Sequence, residues 1–209
     1  MIAVAGGGSD DLRERIAGEL GEAGWSVCPR FLPGEDVRRL REEAEALWRE
    51  GSFRAAGTGT GAEAGVRPEI RGDRILWLEE PFTQDQRRYL DELERLRQAI
   101  NRTLWLGLLS FEGHFAVYPA GASYKKHLDR LRCAPSRVVS CILYLNEDWS
   151  EEDGGQLRLY HGPEEGAAWH DVLPAGGTLA LFLSCDVYHE VLPARRERIS
   201  LTGWFRRRE

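Results

Sequence analysis

In the stretch YKKHLDRL, residues 124–131, His127 and Asp129 stand two positions apart with Leu128 between them. On an extended backbone successive side chains alternate faces, so the imidazole and the carboxylate project to one side while Leu128 points away. Two ligands on one face cannot hold a metal ion alone. Of the five histidines, His114, His127, His161, His170 and His189, only His127 has a carboxylate two residues on. His189, in DVYHEVLPA, lies in a late run of strand length, where closure of a barrel would bring it back beside an early strand. Glu190 faces the other way on a regular strand and is not taken as a ligand. Two histidines and one carboxylate on one side of an ion form the facial triad of mononuclear non-haem Fe(II) enzymes, with coordination positions left open for substrates and oxygen. A zinc hydrolase could use the same ligand types, but the chain has no HExxH and offers no general base for it. An HxD pair also occurs on ordinary strands, so further residues must support the reading.

They follow in ERISLTGWF. Arg198, Ser200, Thr202 and Trp204 share one strand face, and Ile199, Leu201 and Phe205 the other. Arg198 is thus an inward guanidinium on an apolar-backed strand, where it needs an anionic partner. Its fork accepts a carboxylate in two parallel hydrogen bonds, and a free dicarboxylate cosubstrate would fill that need. Tyr144, in VVSCILYLNEDW, can add a phenolic donor from a neighbouring strand, on the same face as Ser140 and Ile142. A surface ion pair for Arg198 and plain barrel packing for Tyr144 are the competing readings at this point.

The elements that must position these groups divide the chain in two. The first half reads as helices: SDDLRERIAGEL with Ser9 or Asp10 as cap and Leu12, Ile16 and Leu20 inward, then PGEDVRRLREEAEALWREG with a Val37, Leu40, Ala44, Leu47, Trp48 stripe ended by Gly51. TQDQRRYLDELERLRQAINRTLW follows, with Tyr89, Leu93, Leu96 and Ile100 inward. GWSVCPRF reads as a short strand between the first two helices. The glycine-rich stretch from Ala55 to Glu69 lacks periodicity and reads as a mobile loop, an inert linker by its residues alone, leading into a strand near Ile75–Leu78. The second half changes to short β-rich runs, HFAVYPA, VVSCILYLN, GQLRLYH, GGTLALFLS, VYHEVLPA and RISLTGWFRR, with Gly or Pro between several of them. Helices first and strands after disfavour a doubly wound parallel sheet. The expected fold is mainly β with supporting helices, a double-stranded β-helix or jelly roll, whose interior can hold a site.

Composition sets the outer limits. The chain has 209 residues, 42% hydrophobic and 30% charged, with 23 glycines, which suits a soluble globular protein of one domain rich in tight turns. A net charge of -6 gives no general pull on phosphate backbones, so nucleic acid is not an expected partner. The start, MIAVAGGGSDDLRE, reads neither as a signal peptide nor as a membrane span, and a cytoplasmic location is expected. Cys28, Cys133, Cys141 and Cys185 form no CxxC and read as buried or half-buried thiols in a reducing compartment. The glycines match no phosphate-binding pattern.

The motifs RGDRILWLE, VYPAGASYKKHLD, RVVSCILYLNEDW, GGQLRLY and HEVLPARRERISLTGWF, in that order, resemble the prolyl-hydroxylase branch of the Fe(II)- and 2-oxoglutarate-dependent oxygenases. The resemblance runs from Arg71 to Phe205 and includes the spacing of His189 from Arg198. It implies one dioxygenase domain over residues 1–209, with the catalytic barrel mainly in 71–206. The family's iron ligands fall on His127, Asp129 and His189, and its anchor for the far carboxylate of 2-oxoglutarate on Arg198, supported by Tyr144. Tyr118 falls on a pocket tyrosine, Thr202 on a partner of the cosubstrate, Trp204 on a wall near the iron and Arg137 on an arginine that engages the peptide. The loop before RGDR then becomes a cover over the substrate and not an inert linker.

The resemblance further implies Fe(II), 2-oxoglutarate as cosubstrate, molecular oxygen, and L-ascorbate as an accessory reductant. Its expected product is a prolyl residue hydroxylated at C4 in an exposed protein segment, with elongation factor Tu as a candidate, since some bacterial members act on it. RLRCAPS at 130–136 and the loop at 55–66 depart from the animal members, and both touch the substrate mouth. Hydroxylation of free proline, another amino acid or a small metabolite therefore stays open, as does a non-catalytic role in binding 2-oxoglutarate or sensing oxygen. Asp129 argues against a halogenase, which would need that coordination position for halide.

Overall fold

In a computed structural model, residues 9–57, 65–129 and 136–208 are described. Among these residues three α-helices precede or flank the sheets: α1 Ser9–Ala23, α2 Gly34–Arg49 and α3 Gln84–Leu104. Each forms where its apolar stripe predicts, because burying a stripe of period 3.6 is what stabilises a helix of this length. Thr83 caps α3, its hydroxyl accepting from the Gln86 backbone N–H at 3.2 Å. Arg13 pairs with Glu92 and so ties α1 to α3, while Arg39 reaches Asp85 at 2.8 Å and ties α2 to α3.

Among the described residues, eleven strands make two antiparallel sheets. β1 is Trp25–Cys28, β2 Arg54–Ala55, β3 Arg74–Trp77, β4 Leu108–Tyr118, β5 Tyr124–His127 and β6 Arg137–Tyr144. β7 is Leu157–Tyr160, β8 Trp169–Val172, β9 Leu179–Leu183, β10 His189–Val191 and β11 Arg198–Arg207. The larger sheet runs β1-β9-β6-β11-β4-β3-β2 and the smaller β5-β10-β7-β8. Facing each other, they give the double-stranded β-helix the motifs implied.

Alternation in the large sheet creates two cores. Phe115, Leu143, Leu181, Ile199, Leu201 and Phe205 point to the helices and pack with Ile16, Leu40, Leu93 and Leu96. The opposite face, with Ala116, Tyr118, Ile142, Tyr144 and Phe182, meets Leu157, Leu159 and Val191 of the small sheet. Polar side chains on this inner face, Ser140, Arg198 and Ser200 among them, are buried with it. The helices thus back the sheet from outside, leaving the inter-sheet space for chemistry.

Several expectations are corrected. β4 starts at Leu108, six residues before the predicted run, because Leu109 and Ser110 are exposed and break the apolar alternation that marks a strand. β8 was not anticipated: Trp169, His170 and Asp171 are exposed on an edge strand, which needs only its neighbour's hydrogen bonds. Ala55, placed in the expected loop, belongs to β2 and pairs with Arg74 of β3. Cys28 and Cys141 are buried, as expected of them, but Cys185 is exposed just beyond β9. Cys133, the RLRCAPS departure up to Pro135 and the middle of the expected covering loop lie outside the described residues.

Candidate active site

His127 ends β5, and His189 opens β10 directly opposite it in register. Asp129 lies beyond the end of β5, so strand alternation is not what aims its carboxylate. Two donors from the large sheet do that instead: Ser140 Oγ of β6 at 2.7 Å and Trp204 Nε1 of β11 at 3.0 Å, both to Asp129 Oδ2. The other oxygen, Oδ1, faces His127 Nε2 at 3.5 Å and His189 Nε2 at 3.6 Å. One ligand atom from each of the three residues falls within 4.8 Å of the others, a spacing that can hold a metal ion.

The imidazoles are set for metal binding by their other nitrogens. His127 Nδ1 lies 2.7 Å from Lys125 O and His189 Nδ1 lies 3.2 Å from Val187 O. An Nδ1–H donated to each carbonyl leaves the Nε2 lone pair for the ion. His127 Nε2 is buried with no hydrogen-bond partner among the described residues, a state that costs about 1–3 kcal/mol unless a ligand relieves it. Burial, and next the charge of His189, lower the His127 pKa. Burial pushes the Asp129 carboxyl up, but His189 and His127 outweigh it and hold the group well below the usual carboxylate range. Burial thus favours the neutral ring of His127, and the cluster brings together two imidazoles and one carboxylate, the ligand types that fit Fe(II).

About the same cavity, Arg198 is 2% exposed and donates from Nε to Gly155 O at 2.9 Å. That bond fixes the guanidinium plane and leaves the Nη edge for a carboxylate. Gly155 is required here: its φ is +70°, and a Cβ would come within 2.9 Å of Ala194 Cβ and 3.2 Å of Arg198 Cδ. The Arg198 guanidinium carbon is 4.9 Å from the Tyr144 ring and 5.1 Å from the Tyr118 ring. Burial raises the Tyr144 pKa to about 12 against the opposing pull of Arg198, and burial holds Tyr118 well above its ordinary value, so both remain phenols able to donate. Tyr144 Oη is buried without a partner among the described residues. An unmet phenol beside a guanidinium is chemically suited to one carboxylate.

The remaining predicted residues divide. Thr202 lines the cavity and lies 3.2 Å, oxygen to oxygen, from Ser200. Trp204 lines it too, but it does more than form a wall, since its indole N–H holds Asp129. Arg137 is not among the cavity-lining residues. It stacks over Trp204 at 3.6 Å and pairs through Nε with Glu112 at 2.8 Å. Glu190 faces away from the cluster, accepting from Tyr160 Oη at 2.5 Å.

Other residues were missed. Ser140 shares the Tyr144 face in the sequence, yet nothing local tells that it meets Asp129. Arg71 and Asp73, inside RGDR, form a two-bond ion pair at 2.7 and 2.8 Å at the cavity, and Tyr124 stacks on His127 at 3.6 Å. His114 also lines the cavity, with its pKa lowered to about 3 by burial first and then by Arg71 and Arg137.

Comparison with known proteins agrees with this geometry. The profile of the 2OG-Fe(II) oxygenase superfamily matches residues 113–206. The chain is 31% identical to human Egl nine homolog 1 over 201 residues and 30% identical to the hypoxia-inducible factor prolyl hydroxylase of Caenorhabditis elegans over 209. These alignments take in 92% and 93% of this chain but 46% and 28% of those proteins, so the chain spans half or less of their length. Among solved structures, a prolyl hydroxylase of Trichoplax adhaerens, crystallised with a hypoxia inducible factor peptide, superposes with a TM-score of 0.84 at 26% identity, over 95% of this chain and 90% of that one. A Pseudomonas putida prolyl-4-hydroxylase gives the same TM-score at 46% identity, over 94% of this chain and 100% of that one. Identity at that level over a whole relative means common descent as well as common shape, and this chain belongs to the prolyl-4-hydroxylase branch of the Fe(II)- and 2-oxoglutarate-dependent oxygenases.

Proposed function

We propose that the protein is a 2-oxoglutarate-dependent dioxygenase that hydroxylates a prolyl residue of a protein, at C4, in an exposed segment, with elongation factor Tu as the first substrate to test. The observation that carries the reading is the meeting of His127, Asp129 and His189 in one cavity with the buried Arg198. In this reading the three residues hold Fe(II), and Arg198 with Tyr144 holds the far carboxylate of 2-oxoglutarate. Tyr118 and Thr202 line the cosubstrate's berth. Bound there with oxygen, iron and 2-oxoglutarate supply the oxidative decarboxylation to succinate and carbon dioxide that puts one oxygen atom into a C–H bond.

The chain's own groups supply position and dryness. Ser140 and Trp204 keep the Asp129 carboxylate in a single orientation, and the backbone carbonyls of Lys125 and Val187 do the same for the imidazoles. Arg198, pinned by Gly155, fixes the cosubstrate from its remote end, so that its reacting end is presented to the metal ligands. Arg137, expected to engage the peptide, is assigned to the edge of the site, where it braces Trp204 and, with its charge already met by Glu112, would contact a bound chain. The residues from Gly57 onward that lead to RGDR are assigned to covering the substrate.

The test incubates iron-loaded protein, 2-oxoglutarate and ascorbate with purified elongation factor Tu, with cytoplasmic protein extract, and with free amino acids. Mass spectrometry then searches for the addition of one oxygen atom that the His127→Ala protein does not produce. A hydroxylated prolyl peptide supports the proposal. Product confined to free proline or another metabolite would refute it and leave the oxygenase chemistry standing.

A further inference from the structure

His114 has no role in holding the metal or the cosubstrate, yet it is 1% exposed in the same cavity, and neither ring nitrogen has a hydrogen-bond partner among the described residues. Burying such a ring costs free energy that a leucine there would not, so a fold retains it when something outside the fold satisfies it. Its place says what that is. In β4 it pairs with Thr202 on one side and Trp77 on the other, with its ring 4.9 Å from Trp77 and 5.6 Å from Trp204. Trp204 holds Asp129, so His114 stands at the metal end. Tyr118, beside Arg198, is four residues further along β4, about 13 Å at the usual rise per residue. The 2-oxoglutarate anchor is therefore remote from it.

The chemistry of this end favours an uncharged partner. A neutral imidazole offers one donor and one acceptor. The nearby cations are already engaged, Arg71 by Asp73 and Arg137 by Glu112. A peptide group presents a carbonyl acceptor and an N–H donor, whereas a free amino acid presents a carboxylate and an ammonium. Resting on the peptidyl hydroxylase reading, we infer that His114 hydrogen-bonds a main-chain amide of the substrate beside the reacting residue and so selects a peptide over a free amino acid.

The experiment compares wild type, His114→Leu and His114→Gln as iron-loaded full chains. The probes are proline-centred peptides, N-acetylated and C-amidated, and free L-proline, with peptide KM, 2-oxoglutarate KM and melting temperature measured for each protein. His114→Leu should raise the peptide KM about tenfold or more, as the loss of a buried hydrogen bond does, while leaving the 2-oxoglutarate KM in place and the melting temperature equal or higher. His114→Gln, which keeps a donor and an acceptor, should recover part of the loss. An unchanged peptide KM in His114→Leu overturns the inference, and so does a lowered melting temperature with equal loss toward peptide and 2-oxoglutarate. A wild type active on free L-proline and on no peptide removes the underlying reading and the inference with it.

Discussion

Asp129 shows how much of this site depends on single side chains. One oxygen is held by Ser140 and Trp204 while the other faces two imidazoles, so the carboxylate cannot turn without losing one set of contacts. His127→Ala, Asp129→Ala or His189→Ala should each abolish turnover and Fe(II) binding in an anaerobic metal titration; retained binding in Asp129→Ala would remove the assigned ligand set. Trp204→Phe keeps an aromatic ring there but removes the indole N–H that holds Asp129, along with the five-membered ring, so it should lower metal affinity or activity about 10–100-fold. Arg198→Ala should raise the 2-oxoglutarate requirement by the equivalent of about 2–5 kcal/mol, since it leaves a desolvated carboxylate unpaired. Tyr144→Phe, which loses one hydrogen bond, should cost about 0.5–1.5 kcal/mol in the same titration. If Arg198→Ala leaves that curve in place, the anchor has been assigned to the wrong residue.

At the scale of elements, β11 is the spine of the site. It lies between β4 and β6 in the large sheet, carries Arg198, Thr202 and Trp204 inward, and turns Ile199, Leu201 and Phe205 to the helices. The close approach of β4 to β11 is made at Gly203, which pairs with Gly113. A Cβ on Gly203 would clash with Glu112 O and Phe111 Cζ and come within 2.8 Å of Gly113 Cα, two of these being backbone atoms that cannot swing aside. Gly203→Ala should therefore destabilise the fold by about 1–3 kcal/mol, as overpacking in a core does. Denaturant unfolding would read that loss directly, and a variant as stable as wild type would mean that the two strands part more readily than their packing indicates. Thr83→Ala, at the cap of α3, should cost about 1 kcal/mol in stability while leaving the cosubstrate titration untouched.

Over the whole molecule, buried histidines set the response to acid. In the fold His114 titrates at about 3, against about 6.5 for an unfolded chain. Between those values the unfolded state takes up a proton that the native state refuses, so stability is full above about pH 6.5 and falls as the pH drops. The slope from one such group is at most about 1.4 kcal/mol per pH unit. His127 is shifted in the same direction and adds to the effect in metal-free protein. Denaturant melts between about pH 7 and pH 4 should show the decline, and His114→Leu should flatten it; equal slopes in the two proteins would contradict the burial of a neutral His114. No helix among the described residues is long and apolar enough to cross a membrane.

The sequence by itself determined the three helices, most of the strands and the phase of β11. All of these are local: amphipathic stripes and alternation are written in neighbours three, four or two residues apart, and Arg198, Thr202 and Trp204 follow from that phase alone. The HxD spacing and the late His189 were likewise legible, and the motif order carried the family. Tertiary structure decided what depends on contacts far apart in the chain. Asp129 leaves its strand and is aimed by Ser140, 11 residues away, and by Trp204, 75 residues away. Arg137 is drawn to Glu112, Asp73 is buried under Arg71, and His114 has no hydrogen-bond partner among the described residues for either nitrogen. Edge strand β8 and the exposed start of β4 exist because neighbouring strands supply their hydrogen bonds, whereas their own residues carry no alternating pattern. Strand register between distant segments fixes each of these, and register is settled by the simultaneous burial of both faces of the large sheet, a condition that no short window of sequence contains.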